Sequence, residues 1–172
     1  HRAIIMRLEE QAARLRSGCA VHHPHHGIGK VQSIGTRGFA SDSDMKFAQM
    51  YFEREALTLI LPVPVAAEAV RRPVDKDQAR QVLKHIKFWD GKTSKQWKAR
   101  ANAHQEAMEQ GDPFVYAEVF KGLCRLEESG SLRQNDRVHL NQAMDFLADE
   151  LSFALDKKPD QVRELILEAA RK

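Results

Sequence analysis

Apolar residues alternate with polar ones in the first third of the chain and recur at helical spacing in the rest. The first part carries short runs rich in Val, Ile, Phe and Tyr, separated by glycines and polar turns, which is typical of small antiparallel strands. Gly27 and Gly29 flank the first turn, where a positive φ or a close backbone approach requires glycine. Pro62 and Pro64 end the last run, because proline cannot donate to a hydrogen-bond ladder. We therefore predict four strands, near residues 19–23, 28–35, 46–54 and 56–61.

The second part of the chain, from Asp75 onward, has the apolar repeat of amphipathic helices. The predicted helix boundaries are a cap at Asp75, a start at Thr93 or Ser94, a terminal Gly111, a cap and first-turn proline at Asp112-Pro113, a break at Ser129-Gly130-Ser131 and a start at Lys158-Pro159. The fourth helix carries a sustained apolar stripe, formed by Leu140, Ala143, Met144, Leu147, Leu151 and Leu155. Such stripes form the core of a bundle and require no cofactor.

These elements predict an α+β protein. A small N-terminal antiparallel β barrel-like domain of the Tudor or SH3 type precedes an all-α helical bundle domain. Residues 63–74 mix prolines with small residues and a basic pair, which indicates a connection between the two. Residues 1–5 are left out of the prediction, and Met6 is a candidate start. The predicted divisions are an N-terminal arm at 1–16, the Tudor-like domain at 17–64, a linker at 65–74 and the helical domain at 75–172.

Composition narrows the class of protein only a little. The chain is 42% hydrophobic and 30% charged, with a net charge of +3, so positive charge matters mainly where it clusters. Cys19 and Cys124 stand far apart without metal-site spacing, which is typical of reduced thiols in a cytoplasmic protein. No run of 18 apolar residues occurs, so we expect no membrane-spanning segment.

The densest positive charge lies in residues 84–100. This stretch contains six basic residues and a single acidic residue, Asp90. It also contains both tryptophans of the chain, Trp89 and Trp97. Cations interleaved with flat aromatic side chains favour a nucleic acid, because the cations neutralise phosphates and an aromatic ring can stack on a base. A pair of solvated helices with one tryptophan in the core would have the same composition, so both interpretations stay open at this point.

Two groups of residues could suggest metal or catalytic chemistry. His22, His23, His25 and His26 crowd five positions, but Pro24 makes the rings diverge and no carboxylate or thiolate lies at ligand spacing except Cys19. Acids on the fourth helix, at Asp145, Asp149 and Glu150, are typical of a solvated face rather than a two-metal nuclease. No recognised catalytic motif is present. We therefore expect no enzyme activity, no catalytic residues, no metal and no cofactor.

Taken together, the order and spacing of these segments resemble the CarD/CdnL family of bacterial transcription regulators. Each segment alone is weakly specific, and the resemblance depends on their shared order from about Gly18 to the end of the chain. The segments that carry it are His23-Pro24-His25-His26-Gly27-Ile28-Gly29-Lys30-Val31, Thr36-Arg37, Leu57-Thr58-Leu59-Ile60-Leu61-Pro62-Val63, Val70-Arg71-Arg72-Pro73-Val74, Trp97-Lys98-Ala99-Arg100, Gly111-Asp112, Ala117-Glu118-Val119 and Leu132.

The resemblance implies an N-terminal domain that binds the RNA polymerase β subunit and a helical domain that contacts promoter DNA at the upstream edge of the transcription bubble. In the family a tryptophan acts as a wedge, entering the minor groove beside unstacked bases, and it corresponds to Trp97. The family's nearby basic positions correspond to Lys98 and Arg100. Lys95 is added to the expected DNA contacts from its charge alone. Arg37 stands where the family places an arginine that contacts polymerase. No recognition helix is evident, so the DNA contact is expected to be independent of sequence.

The chain also departs from the family pattern. Ile60 stands where some relatives place an arginine, so that polymerase contact is expected to be hydrophobic or supplied by Arg54. Cys19-Ala20-Val21 replaces an acidic-then-valine start, and the arm before Ser17 is longer than expected. The resulting expectation is a cytoplasmic regulator, associated with the nucleoid through polymerase, that is a monomer or a domain-swapped dimer. The alternative is a protein–protein adaptor of the transcription machinery that does not contact DNA.

Overall fold

The structure is a computed structural model that describes residues 15–36 and 45–171. The chain divides into two compact units, one that ends at Pro73 and one that begins at Val74. The first unit contains the β-sheet and the second contains most of the helices. The predicted α+β class is therefore confirmed.

The first unit is built on a four-stranded antiparallel sheet in the order β1-β2-β3-β4. The strands are β1 (Ala20–His23), β2 (Gly27–Thr36), β3 (Lys46–Phe52) and β4 (Leu57–Pro62), close to the predicted ranges. The β2–β3 register shifts between Val31 and Ser33, which indicates a bulge. Among the described residues β1 and β4 are the outer strands of an open sheet, so the barrel-like shape stays a prediction.

The two glycines of the first turn have different structural reasons. Gly27 has a φ of 77°, in the left-handed region that favours glycine. Gly29 instead lies against β3, where an added Cβ would be 2.5 Å from Cδ1 of Phe52 and 2.8 Å from the carbonyl oxygen of Tyr51. A side chain at position 29 would therefore push β2 away from the sheet core, to which the Phe52 ring belongs.

The predicted linker contains regular structure. Helix α1 (Val63–Ala69) follows β4 directly, with Pro64 in its first turn, and it buries Ala66 completely in the core of the sheet unit. Beyond it, the backbone of Arg71 pairs with that of His22 on β1. The prolines that suggested a linker are therefore compatible with a helix, because a proline in the first turn loses no helical hydrogen bond.

The second unit is a bundle of five helices. They are α2 (Lys76–Phe88), α3 (Trp97–Glu109), α4 (Pro113–Glu128), α5 (Gln134–Leu155) and α6 (Pro159–Ala170). The Asp75 carboxylate accepts a hydrogen bond from the backbone N–H of Gln78 at 2.8 Å, as a cap should. Gly111 has a φ of 72°, and the Asp112 carboxylate accepts from Phe114 N–H at 2.9 Å. These predicted boundaries are confirmed.

Helices α4 and α5 supply most of the core of the bundle. Helix α4 is buried on several sides and contributes Tyr116, Ala117, Val119, Phe120 and Leu123. On α5, the predicted stripe is buried at Ala143, Leu147 and Leu151 and half-buried at Leu140, Met144 and Leu155. Within the described part of the chain, no helix is both long and apolar enough to span a membrane.

Candidate nucleic-acid interface

The basic stretch forms the end of α2, a connecting segment at residues 89–96 and the start of α3. Its first part is held by α4. The guanidinium of Arg125 donates to the carbonyl oxygens of Trp89 at 2.6 Å and Gly91 at 3.0 Å, and its Cζ lies 5.6 Å from the Trp89 ring. Buried Lys121 donates from Nζ to the carbonyl oxygen of Lys87 at 3.3 Å, and burial lowers the pKa of this amine. Trp89 is therefore a packing residue.

Two glycines allow the close packing of this segment, Gly91 within the segment itself and Gly122 where the segment meets α4. A Cβ on Gly91 would overlap the Trp89 ring, and a Cβ on Gly122 of α4 would meet the hydroxyl oxygen of Thr93. Because the segment packs in this way, α3 begins only at Trp97, a few residues later than the predicted Thr93 or Ser94. The start is capped by the Gln96 side chain, which accepts from Ala99 N–H at 2.6 Å.

The last part of the segment is held by a buried ion pair. Arg100 of α3 donates from Nε and Nη2 to the two carboxylate oxygens of Asp136 on α5, at 2.8 and 2.6 Å. Its remaining nitrogen, Nη1, donates to the carbonyl oxygen of Ser94 at 3.0 Å. The Asp136 carboxylate also accepts from the backbone N–H of Arg133 at 2.9 Å. The hydrogen bonds between Arg100 and Asp136 raise the pKa of Arg100 and lower the pKa of Asp136, and the bond from the Arg133 backbone lowers the pKa of Asp136 further.

This geometry changes the role that the sequence suggested for Arg100. Only 3% of its surface is exposed, and its charge is matched by Asp136. A phosphate would have to compete with a bidentate carboxylate inside the protein to reach it. The structure therefore places Arg100 beneath the surface, where it orients the start of α3, whereas Lys95 and Lys98 are exposed.

Trp97 is the first residue of α3 and is 38% exposed. The Nζ of Lys98 lies 5.4 Å from the centroid of its ring, and the Cζ of Arg133 lies 5.4 Å from the same ring. Each cation–π contact at such an exposed site contributes about 0.5–1 kcal/mol. We call the exposed side chains of Lys95, Trp97, Lys98 and Arg133 the Trp97 surface. Sequence reasoning missed Arg133, because it joins the surface only through the packing of α5 against α3.

A pair of buried histidines lies next to the ion pair. His104 on α3 and His139 on α5 have ring centroids 6.0 Å apart, and His139 is hydrogen-bonded to Gln105 at 3.3 Å. Burial and the neighbouring His139 lower the pKa of His104 to about 4, while Asp136 opposes this shift and Arg100 adds to it. Burial also lowers the pKa of His139. Both rings are therefore neutral at physiological pH.

The histidine pair makes the stability of the protein depend on pH. The unfolded chain takes up a proton on His104 near the ordinary histidine pKa of 6.5, whereas the folded chain does so only near 4. Unfolding therefore becomes easier as the pH falls through this window, by up to about 3 kcal/mol for this group. We expect denaturant unfolding to show a steeper loss of stability between these pH values in the wild type than in His104→Gln. Equal slopes, or an NMR titration of His104 near 6.5, would contradict the prediction.

The residues predicted to contact polymerase belong to the sheet unit. Arg54 lies in a 3-10 turn (Glu53–Glu55) between β3 and β4 and is exposed. Ile60 lies on the outer strand β4 and is 41% exposed. Arg37 lies outside the described residues. The prediction of a polymerase contact is therefore compatible with the exposure of the two residues whose positions are known.

The histidine-rich turn is a packed cluster, so the prediction that its rings diverge is wrong: the ring centroids of His23 and His26 lie 4.5 Å apart. Nδ1 of His26 is hydrogen-bonded to the Glu55 carboxylate at 3.0 Å, and His23 accepts from the backbone N–H of His25 at 3.0 Å. Burial, followed by the neighbouring His26, lowers the pKa of His23 to about 4. In the described part of the chain no three His, Cys, Asp or Glu side chains are arranged to hold a metal ion. The prediction of a solvated acidic face on α5 is wrong in part: Asp145 accepts from Arg163 at 2.8 Å, and the completely buried Glu150 accepts from the backbone N–H of Val74 at 2.8 Å.

The fold and the Trp97 surface define a two-unit α+β protein that presents an aromatic ring among cations on a helical bundle. Comparison with known proteins assigns it more closely. The family model described as the CarD, C-terminal domain matches residues 81–167, about half of the chain. The chain therefore belongs to the CarD family, and the membership predicted from sequence is confirmed. It is also 24% identical over 136 residues to "Putative transcription factor YdeB" of Bacillus subtilis (strain 168), covering 78% of this chain and 88% of that protein.

Proposed function

We propose that this protein is a transcription regulator that binds the RNA polymerase β subunit through its sheet unit and stabilises the open promoter complex through its helical unit. Membership of the CarD family and the similarity to a protein named as a transcription factor support a role in transcription rather than catalysis. The observation that carries the DNA contact is the exposed Trp97 indole, with Lys98 and Arg133 at its ring.

The Trp97 surface suits DNA whose strands have separated. An indole inserted beside a base step in a closed duplex must unstack that step, which costs a few kcal/mol, whereas at a fork the unstacking has already occurred. The protein therefore binds the open form more tightly than the closed form, and that difference shifts the equilibrium toward the open form. A difference of about 1.4 kcal/mol changes the open-to-closed ratio tenfold.

The residues that hold the segment before α3 and the start of α3 supply rigidity. Arg100 and Asp136 fix the start of α3, and Arg125 fixes the segment that leads to it. A binding group that is already ordered loses less conformational freedom on binding, so more of the contact energy appears as affinity. In this proposal Lys95 and Lys98 contact phosphates, Trp97 contacts the unstacked base and Arg100 positions Trp97.

Polymerase supplies the remaining affinity. The sheet unit, which we propose to have the Tudor-like barrel shape, would contact the β subunit through Arg37, Arg54 and Ile60. Tethering raises the effective concentration of the helical unit at the promoter, so a few phosphate contacts are sufficient. The contact is independent of DNA sequence because no base-edge recognition is needed at a fork. One copy of the chain suffices for this arrangement, and a domain-swapped dimer would present the same surfaces.

Binding of a polymerase β-subunit fragment tests the first half of the proposal. We expect Ile60→Asp and Arg37→Glu each to weaken binding about tenfold or more, because a charge that is buried unpaired or reversed at an interface costs several kcal/mol. Lys157→Glu, in the exposed turn between α5 and α6, is the matched control and should bind normally. Unchanged binding by both sheet-unit variants would contradict the polymerase contact.

Photo-crosslinking from positions 95 and 98 tests the second half. A DNA-contacting regulator gives crosslinks from both positions to the upstream edge of the bubble in a complex with polymerase and promoter. An adaptor that docks only protein gives crosslinks to protein and none to DNA. A single map of these crosslinks therefore distinguishes a DNA-contacting regulator from a protein–protein adaptor.

A further inference from the structure

Arg133 lies immediately before α5 and approaches Trp97 from a different helix. Its guanidinium carbon is 5.4 Å from the centroid of the Trp97 ring, the same distance as Lys98 Nζ, which comes from α3 itself. The ring is thus contacted by one cation from its own helix and one from α5. A guanidinium is planar and can lie on an aromatic face and still bind an anion with its outward N–H groups.

The position of Arg133 is set by the same carboxylate that orients Trp97. Asp136 accepts a hydrogen bond from the Arg133 backbone N–H at 2.9 Å, and it binds the Arg100 guanidinium at 2.6 and 2.8 Å. The side chains of Arg100 and Asp136 are almost completely buried. The Arg133 backbone and the start of α3 are therefore held by the same carboxylate, which keeps the Arg133 side chain within reach of the indole.

The charge of Arg133 is available to a partner. Its side chain is exposed, and no carboxylate forms an ion pair with its guanidinium in the part of the chain that the structure describes. Arg100 differs in both respects, since it is buried and paired. We infer that Arg133 is a further DNA-contacting residue, which binds the phosphate adjacent to the base that Trp97 contacts. This inference rests on the DNA contact proposed above.

The test is the binding of the full chain to a labelled fork DNA, measured by fluorescence anisotropy over a series of salt concentrations. Arg133→Ala is expected to weaken binding about fivefold to tenfold at low salt and to reduce the slope of log affinity against log salt by about one, the signature of one lost phosphate contact. The bond to Asp136 is kept, because it uses the backbone N–H. Arg133→Lys should restore the slope and only part of the affinity, since an ammonium lacks the planar face.

Lys157→Ala is the matched control. It removes the same charge at the other end of α5, which is 22 residues and therefore roughly 33 Å long, well beyond the screening length of physiological salt. The inference is overturned if Arg133→Ala and Lys157→Ala have the same slope, or if Arg133→Ala binds as the wild type does while Trp97→Ala binds fork DNA more weakly. If neither Trp97→Ala nor Arg133→Ala alters fork binding, the DNA contact proposed above fails, and the role of Arg133 fails with it.

Discussion

Replacing Trp97 with alanine is expected to shorten the lifetime of the open promoter complex about tenfold. The substitution removes the aromatic side chain of the Trp97 surface, and stacking of such a ring on a base contributes about 1–3 kcal/mol per base. Binding to polymerase should not change, because it belongs to the sheet unit in our proposal. The measurement is the decay of heparin-challenged open complexes formed with saturating amounts of each variant.

Two controls separate this effect from a general loss of structure. Trp97→Phe keeps an aromatic face and should recover part of the lifetime, whereas Lys157→Ala should behave as the wild type. Trp97 is only 38% exposed, so its removal is expected to cost some stability, and thermal unfolding shows whether each variant is still folded at the temperature of the lifetime measurement. If Trp97→Ala binds polymerase normally and leaves the open-complex lifetime unchanged, the proposal that Trp97 inserts beside unstacked bases is wrong.

The two tryptophans show how far sequence reasoning extends. Charge and aromatic content indicated residues 84–100 as a candidate nucleic-acid surface, but they could not assign different environments to Trp89 and Trp97. The environment of Trp89 depends on two residues of α4. The Arg125 guanidinium donates to the carbonyl oxygen of Trp89, and Gly122 has no side chain that would clash with Thr93 of the same segment. These are tertiary contacts between distant parts of the chain, so no local pattern around either tryptophan contains them.

Helix boundaries were predictable where their cause is local. Asp75, Gly111 and Asp112 act within four residues of themselves, through side-chain caps and a positive φ. The segment at 63–74 was predicted as a linker because it contains prolines, although Pro64 suits the first turn of α1. Its helix is stabilised by burial of Ala66 against the sheet, which the sequence of the segment alone does not reveal.

Arg100 illustrates the same limit at the site. It was predicted as a DNA contact because it lies near Trp97 in a basic stretch and in a family motif. A basic side chain in a folded protein commonly lies either on the solvated surface or in a buried ion pair. The sequence does not show which, because this depends on whether an acidic side chain lies beside it in the fold. Here the acid is Asp136, on another helix, and its carboxylate binds Arg100 in a bidentate arrangement.

Removing either partner of the Arg100–Asp136 pair is expected to destabilise the protein. Arg100→Ala or Asp136→Ala should each lower the free energy of unfolding by about 3–5 kcal/mol, because the remaining partner would be left as an uncompensated buried charge. The lowered pKa of Asp136 means that this contribution is present at neutral pH and is lost only as the pH falls below the ordinary aspartate value of 3.8 through the folded-state pKa. Denaturant unfolding of the full chain measures the change.

A double variant distinguishes a role in stability from a role in positioning. Arg100→Met combined with Asp136→Leu replaces the pair with apolar side chains of similar size, and such replacements often leave stability unchanged or raise it. The double variant also loses the hydrogen bonds from Arg100 to Ser94 and from Arg133 to Asp136, which set the geometry of the Trp97 surface. We therefore expect a folded, stable protein whose open complexes nevertheless decay faster than those of the wild type. Wild-type lifetimes in the stable double variant would show that the buried pair contributes to folding alone and that Trp97 needs no support from it.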